Sequence, residues 1–297
     1  MVNKTILVSL CLVVPAIGEW LTDLEKAQIR AEEETKDIYL VFTGSDWSQS
    51  CQRFEKTILS QESFQSALAE RFLLVRVDLP IRSNLPKEVI AAKRKLSSRL
   101  AVETWPEAVY LDPQGRPYDR DTGVLPLSVK NYAEHVLAKR SGRKTRDLLF
   151  EKADQLEGQA RAEAIVEALR QLPRNTLLEF YRNEVAELDR LNPDNSKGFL
   201  KSLRAEKGLL EIEQSLAELF NHRSFDRLIE KVDLYLKVHQ PLGENRQQAL
   251  TYKMAAYQNS ARPQKALEIA LEIISIDEKT DFAKSAVQVQ NKLRRKQ

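Results

Sequence analysis

VFTGSDWSQSCQRFEKTIL, residues 41–59, is the stretch of sequence that decides the fold of the first part of this chain. The apolar residues 38–42 predict a β-strand, the Gly-Ser-Asp sequence after them predicts a turn, and residues 49–59 have the apolar spacing of a helix. Cys51 falls in the first turn of that helix. Unpaired backbone N–H groups and the positive end of the helix dipole lie there, and both favour the thiolate form of a cysteine. The stretch therefore predicts a strand, a turn and a helix that presents a cysteine at its start.

The distribution of residue types predicts two domains. A chain of 297 residues is long enough for one large domain or two ordinary ones. All three tryptophans lie in the first 105 residues, whereas the sequence beyond about residue 143 is rich in Leu, Ala, Glu, Lys and Arg. We therefore predict an α/β domain at residues 19–140, a linker at 141–146 and an all-helical domain at 147–297.

The charge balance argues against a nucleic-acid partner. The 46 basic and 43 acidic residues are interspersed along most of the chain, and the formal net charge is only +3. Two runs, KRSGRKTR and KLRRKQ, are locally basic. We expect the first to be a solvated linker and the second a solvated tail.

Residues 1–18, MVNKTILVSLCLVVPAIG, have the pattern of a signal peptide. Lys4 precedes an apolar core that is too short to span a bilayer, and Ala16 and Gly18 occupy the −3 and −1 positions of a cleavage site. A buried core helix is the alternative, although no amphipathic spacing is visible. We expect export to the periplasm or out of the cell, with no membrane contact after cleavage. The mature chain would then keep Cys51 as its one cysteine, which predicts that it has no internal disulfide.

Helices and strands alternate through the rest of the predicted α/β domain. The predicted elements after the signal peptide are a helix at 21–36, the strand and helix of the quoted stretch, a further helix after a break near Ser60, a strand at 72–80, a helix from Pro86, a strand at 107–111, a turn at 112–115 with a second antiparallel strand, and a closing helix at 126–140. This order predicts a central sheet with helices packed on it.

The quoted stretch and the element order together resemble the thioredoxin superfamily over roughly residues 20–140. Members of that superfamily read Trp-Cys-x-x-Cys where this chain has Trp47, Ser48 and, three residues further on, Cys51. The chain looks most like the secreted branch whose motif is preceded by FTGSDW. The resemblance implies that Ser48 replaces the cysteine that attacks a substrate disulfide, and that Cys51 stands at the resolving position. Dithiol exchange needs both sulfurs. A serine has no sulfur with which to form a disulfide, and without an adjacent general base its hydroxyl stays protonated and is a poor nucleophile.

The same resemblance assigns a role to the sequence Trp105-Pro106 before the predicted strand at 107–111. It implies that Pro106 is the cis-proline of the superfamily and that Trp105 forms the rim of a peptide-binding groove with Trp47. An ordinary trans proline that opens an edge strand is the alternative. Asp46, in the turn, is expected to accept hydrogen bonds from the helix or the turn backbone more readily than to act as an acid or base.

Two functions follow from these residues, and the sequence leaves both open. In the first, the chain has lost dithiol oxidoreductase activity and binds a peptide or protein in a groove formed by Trp47, Ser48, Trp105 and Pro106. In the second, Cys51 is a reactive thiol that performs monothiol exchange or redox-regulated trapping; otherwise it is a small buried residue. A purely structural role for the whole chain also stays open, because no motif indicates a partner.

No other catalytic or metal-binding pattern competes with these readings. The three histidines are far apart in sequence and have no metal-ligand spacing, so we expect no metal site and no cofactor. The serines of the motif form no Gly-x-Ser-x-Gly elbow. No motif indicates the oligomeric state.

The C-terminal part shows helical apolar spacing in six segments separated by short turns. The last two, RQQALTYKMAAYQNS and PQKALEIALEIISID, resemble a tetratricopeptide repeat, with Ala256, Tyr257 and Ala266 at its small and aromatic positions. Met254 and Glu278 depart from the glycine and proline that are usual in that pattern. We predict degenerate helical hairpins, which either bind a partner on a concave surface or only support the α/β domain.

Overall fold

The structure is a computed structural model that describes residues 19–82, 85–191 and 196–294. The predicted signal peptide lies outside the described residues. Within them, no helix is both long enough and apolar enough to cross a membrane. Packing divides the chain into two units. The first runs up to Leu148 and includes Gln171–Thr176, and the second comprises Leu149–Arg170 and the chain from Leu177 onward.

A five-stranded sheet in the order β1-β3-β2-β4-β5 forms the centre of the first unit. The strands are β1 (Trp20–Leu21), β2 (Asp37–Thr43), β3 (Phe72–Asp78), β4 (Glu107–Leu111) and β5 (Pro117–Thr122). β3 pairs in parallel with both β1 and β2, whereas β4 pairs antiparallel with both β2 and β5. Every residue of β2 is buried, as a continuous apolar central strand requires.

The helices of the first unit follow the predicted order. They are α1 (Leu24–Glu34), α2 (Gln49–Phe54), α3 (Glu62–Leu68), α4 (Lys87–Arg99) and α5 (Val129–Asp154), and a π-helical turn at Glu55–Leu59 continues α2. Asp23 caps α1 by accepting a hydrogen bond from the backbone N–H of Lys26, as its residue type favours. The predicted break near Ser60 is confirmed, because α3 begins two residues after it.

Aromatic side chains fill the core around the central strand. The ring of Tyr39, on β2, lies 5.9 Å from that of Phe64 and 5.4 Å from that of Tyr110. Phe54 at the end of α2 contacts Tyr132 on α5, with ring centroids 5.2 Å apart. Each such buried ring stabilises the fold by about 1.5–3 kcal/mol through burial, and the Phe54 ring packs the end of α2 against α5.

The expectation of a solvated linker at residues 141–146 is wrong. Those residues continue α5 without a break. Arg146 is 1% exposed and pairs with Asp112 at 3.0 Å, while Arg143 pairs with the buried Asp37. Two arginines of the basic run thus pair with buried carboxylates. These carboxylates take the place of the water that would solvate the arginines of a linker. The boundaries proposed for the two domains stay a prediction.

Two elements lie where the sequence did not predict them. β1 has two residues, and one of them, Leu21, was expected to belong to the first helix. The final helix α13 (Asp281–Arg294) extends into the run that was expected to be a solvated tail. Its buried residues, Ala283 and Ala286, are small and give a weak apolar signal.

The second unit is all-helical in its described residues, as predicted. Besides the end of α5 and the final helix α13, it contains α6 (Gly158–Arg170), α7 (Leu177–Phe180), α8 (Arg182–Leu191), α9 (Ser196–Asn221), α10 (Phe225–His239), α11 (Gly243–Asn259) and α12 (Pro263–Ile276). α11 and α12 pack together as the predicted hairpin. The buried amide of Gln247 on α11 donates to the carbonyls of Ile273 and Asp277 at 2.9 and 2.8 Å, and so caps the end of α12. The resemblance to tetratricopeptide repeats stays a prediction.

Candidate functional site

Ser48 is the N-cap of α2 and holds the start of that helix in place. Its Oγ accepts a hydrogen bond from the backbone N–H of Cys51 and donates one to the backbone carbonyl of Trp105, both at 3.3 Å. Its own N–H donates to the carbonyl of Gly44 at 2.9 Å. A serine at this position contributes about 1 kcal/mol to helix stability. Ser48, at the position where the resemblance places the attacking cysteine, is 9% exposed and acts as a cap.

Cys51 lies beneath the turn that connects β2 to α2. The residue is 1% exposed, its thiol is free, and its Sγ accepts a hydrogen bond from the backbone N–H of Gly44 at 3.3 Å. A buried sulfur at this place, behind the N-cap residue, has the geometry that the resemblance implies for a resolving position.

The structure brings together all the residues that the sequence assigned to the groove. The Trp105-Pro106 peptide bond is cis, as the resemblance implied. The rings of Trp47 and Trp105 lie 5.7 Å apart, and Trp47 is 43% exposed. Ser48 completes the group through its hydrogen bond to the Trp105 carbonyl. The four residues lie together near the N-terminal end of α2, with Trp47 exposed, Trp105 partly exposed, and Ser48 and Pro106 buried.

Gly44 is required where the turn passes beneath the ring of Trp47. A Cβ atom at this position would lie 2.2 Å from Cε2 of that ring, far inside contact distance. The indole Nε1 donates to the carbonyl of Leu79 at 2.9 Å, which fixes the ring against the loop that follows β3. Any side chain at position 44 would therefore displace the exposed tryptophan.

Gly44→Ala should destabilise the chain by about 1–3 kcal/mol, because the added methyl group forces the Trp47 ring out of its place. Urea unfolding measures the loss, and tryptophan fluorescence reports the displaced ring. Gly142→Ala is the matched control, since a Cβ there meets no atom within 4 Å and lies within α5. It should stabilise by roughly 0.5–1 kcal/mol. Equal effects of the two substitutions would contradict the role assigned to Gly44.

Asp46 anchors the loop after β3 to the motif turn. Its two carboxylate oxygens accept hydrogen bonds from the backbone N–H groups of Ile81 and Arg82, at 2.9 and 2.6 Å. These bonds, the one from Arg82 first, lower the pKa of Asp46 below its ordinary value. Asp46 accepts backbone hydrogen bonds as expected, and two of them come from this distant loop. A partner 35 residues away leaves no local signal in the sequence.

Sequence reasoning missed Asp78, at the end of β3, which fixes the other side of the turn. Its carboxylate accepts hydrogen bonds from Thr43 Oγ1 at 2.9 Å, from Ser45 N at 2.9 Å and from Ser45 Oγ at 2.6 Å. An aspartate at the end of an apolar strand is a common turn residue, so the sequence alone does not indicate this role. The pairing of β3 with β2 brings Asp78 next to Thr43 and the turn.

No group of acidic, cysteine or histidine side chains in the described part of the chain has the geometry to hold a metal ion. His135 pairs instead with the buried Asp121, its Nε2 lying 2.8 Å from Oδ2.

The sheet order, the strand-turn-helix motif and the cis-proline together define a thioredoxin-like domain. In agreement, residues 19–113 match the protein-family model described as thioredoxin-like. The N-terminal part of this chain is therefore a thioredoxin-like domain, and an all-helical region follows it.

Relatives of this domain include a named disulfide reductase. The chain is 30% identical over 90 residues to the disulfide bond reductase DsbH of Chlamydia pneumoniae, an alignment that covers 30% of this chain and 54% of that protein. This chain thus spans about half the length of the curated relative it matches. A solved structure titled "DsbH Oxidoreductase" is 26% identical, with a TM-score of 0.39, and the match covers 46% of this chain and 94% of the other.

Proposed function

We propose that this chain is an exported thioredoxin-like protein that binds an extended peptide or protein segment in the groove formed by Trp47, Ser48, Trp105 and Pro106. The backbone N–H of Trp105 carries the proposal. Among the described residues, nothing accepts a hydrogen bond from it, although it lies beside a cis-proline and an exposed tryptophan. An unpaired N–H at the edge of an aromatic groove is the group that an extended main chain pairs with.

Loss of dithiol exchange is the second part of the proposal. The motif contains one sulfur, that of Cys51, and the Ser48 hydroxyl is occupied by hydrogen bonds to the helix and to Trp105. A mixed disulfide at Cys51 would have no neighbouring thiol to release it. Export is supported by the basic residue, apolar core and small residues of the N-terminal segment.

Binding to an unfolded polypeptide tests the groove. Reduced, carboxymethylated α-lactalbumin serves as the probe, and isothermal titration measures its affinity for the full chain. Trp105→Ala should weaken binding by at least about tenfold, because a central aromatic contact is removed. Trp20→Phe is the matched control, since Trp20 lies on β1 and donates to Leu59, not to the groove. Binding that Trp105→Ala leaves unchanged would contradict the proposal.

Monothiol exchange through Cys51 is the second candidate function, and one observation favours it. Although Cys51 is only 1% exposed, it contributes to the wall of a cavity to which none of the four groove residues contributes. A small reagent in that cavity would approach the thiol without passing through the groove. The rate of Cys51 alkylation in the folded chain, compared with the unfolded chain, separates this function from that of an inert buried residue.

A further inference from the structure

The loop after β3, residues 79–82, carries an exposed apolar side chain beside the groove. Ile81 is 75% exposed, more than Trp47 at 43%. Exposure alone indicates no function, because single apolar side chains are common on protein surfaces. Ile81 differs from such a residue because its loop is bonded to two adjacent residues of the motif, Asp46 and Trp47.

Three hydrogen bonds to the motif fix the backbone of this loop. The carbonyl of Leu79 accepts from Trp47 Nε1 at 2.9 Å. The N–H groups of Ile81 and Arg82 donate to the two carboxylate oxygens of Asp46, at 2.9 and 2.6 Å. The loop is therefore ordered before any ligand arrives, and a ligand that contacts Ile81 loses little free energy to ordering it.

Ile81 lies within reach of a polypeptide segment that is bound at Trp47. Because two residues of backbone span at most about 7 Å, the Cα of Ile81 lies within that distance of the Cα of Leu79. The carbonyl of Leu79 in turn bonds to the Trp47 ring. An extended segment presents every second side chain on the same face, at a repeat of about 7 Å. A segment with one side chain on Trp47 can therefore place the next side chain of that face on Ile81.

The charges around Ile81 favour an apolar occupant. Asp46 and Arg82 have opposite charges and lie side by side, since the Arg82 N–H donates to the Asp46 carboxylate. Together they give the surface around Ile81 no net charge, so it selects neither anions nor cations. The property that a ligand can use there is the exposed apolar area of Ile81 and Trp47.

We propose that Ile81, at the edge of Trp47, forms a subsite for a large apolar side chain such as leucine. The subsite rests on the groove proposed above and names its ligand class, which is an extended segment with apolar side chains at alternate positions. Such a segment has the pattern of a buried β-strand, so it is accessible in an unfolded polypeptide. Ile81 is then a specificity-determining residue. Asp46 is a positioning residue, because it acts through the loop.

Two fluorescein-labelled peptides test the subsite on the full chain by fluorescence anisotropy. One contains Leu-Ser-Trp-Ser-Leu between Gly-Ser flanks, and the other contains Ser-Ser-Trp-Ser-Ser between the same flanks. Each core is symmetrical about its tryptophan, so both chain directions present the same side chain to Ile81. The leucine peptide should bind at least about fivefold more tightly than the serine peptide, because only leucine removes apolar area from water at Ile81.

Ile81→Ser should lower the ratio of the two affinities to about one, because the subsite loses its apolar area. Ile29→Ser is the matched control, at a residue that is 61% exposed on α1, and should leave the ratio unchanged. Asp46→Ala should lower the ratio at least about twofold, because the loop loses two of its anchoring bonds. Asp23→Ala also removes a carboxylate that accepts a backbone N–H, on α1, and should leave the ratio unchanged.

The same titrations separate failure of the subsite from failure of the groove. Equal affinities for the two peptides, or equal ratios in the Ile81→Ser and Ile29→Ser variants, would overturn the subsite. If Trp105→Ala still weakens both peptides, the groove survives that result. If Trp105→Ala weakens neither peptide, the groove is wrong and the subsite is wrong with it. Sedimentation velocity tests a second copy of the chain as the occupant, and self-association that Ile81→Ser removes would also overturn the proposal.

Discussion

The Ser48→Cys variant should reduce the disulfides of insulin in the presence of dithiothreitol, whereas the unaltered chain should not exceed the rate of dithiothreitol alone. The substitution places a thiol at the N-cap of α2, three residues before Cys51. The backbone N–H of Cys51 already points at the atom in this position, at 3.3 Å. That N–H and the helix dipole would favour a thiolate there, which is the form that attacks.

The rest of the motif is in place for this gain of activity. The cis-proline Pro106 lies beside the helix start, and Trp47 retains its hydrogen bond to the loop after β3. Cys51, at the position that the resemblance assigns to the resolving cysteine, has a free thiol. One added sulfur therefore completes an attacking and resolving pair, and we expect turnover at least about tenfold above background.

Two controls separate exchange from a merely added thiol. Ser48→Cys combined with Cys51→Ala should accumulate a mixed disulfide with the substrate and show no turnover, because nothing resolves it. Ser45→Cys places the new thiol in the same turn but away from the helix start, and should remain at background. If the Ser48→Cys variant does not exceed the rate of dithiothreitol alone, the site lacks more than the attacking sulfur.

Replacement of Ser48 also removes an oxygen cap. The hydroxyl bonds to the Cys51 N–H and to the Trp105 carbonyl would be weakened by the larger sulfur, at a cost of about 0.5–2 kcal/mol. Urea unfolding of the variant shows whether the activity is measured on folded protein.

The sequence predicted the parts of this fold whose causes are local. β4 occupies residues 107–111 as expected, because an apolar run there is bounded by a proline and an Asp-Pro turn. The break near Ser60, after which α3 begins at Glu62, was also expected from the local sequence. The cis bond at Pro106 followed from resemblance, and not from any local rule.

Contacts between distant residues could not be predicted in this way. Asp46 and Asp78 each bind backbone groups more than 30 residues away, and both are common turn residues without a distinguishing pattern. The length of α5 was missed for the same reason. A basic run with a glycine reads as a solvated linker unless its partners, Asp37 and Asp112, are known to lie beneath it.

Asp37 is the centre of a buried charge cluster at the start of β2. The residue is fully buried, and its carboxylate accepts hydrogen bonds from Arg140 Nε at 2.9 Å, from Tyr118 Oη at 3.0 Å and from Arg143. Burial, and then the Asp37 charge, raise the pKa of Tyr118 well above its ordinary value, so its hydroxyl remains a donor. The cluster fixes the middle of α5 to the central strand of the sheet.

Asp37→Asn should destabilise the chain by about 3–5 kcal/mol, because it leaves two guanidinium groups packed against a site that no longer carries a negative charge. Urea unfolding followed by circular dichroism measures the change. Asp119→Asn is the matched control on β5, where the partly exposed carboxylate pairs with Lys139 at 3.1 Å. An ion pair of that kind contributes about 0–1 kcal/mol. Similar losses for the two variants would contradict the central role of Asp37.

A double variant distinguishes uncompensated charge from lost packing. If the cost of Asp37→Asn comes from unpaired guanidinium groups, adding Arg143→Gln should recover part of the lost stability, since one of the two charges is then removed. If the cost comes from distorted packing of α5, the second substitution should add a further loss. Recovery would mean that electrostatic pairing, and not only the apolar face of the helix, holds residues 140–146 on the sheet and keeps them helical.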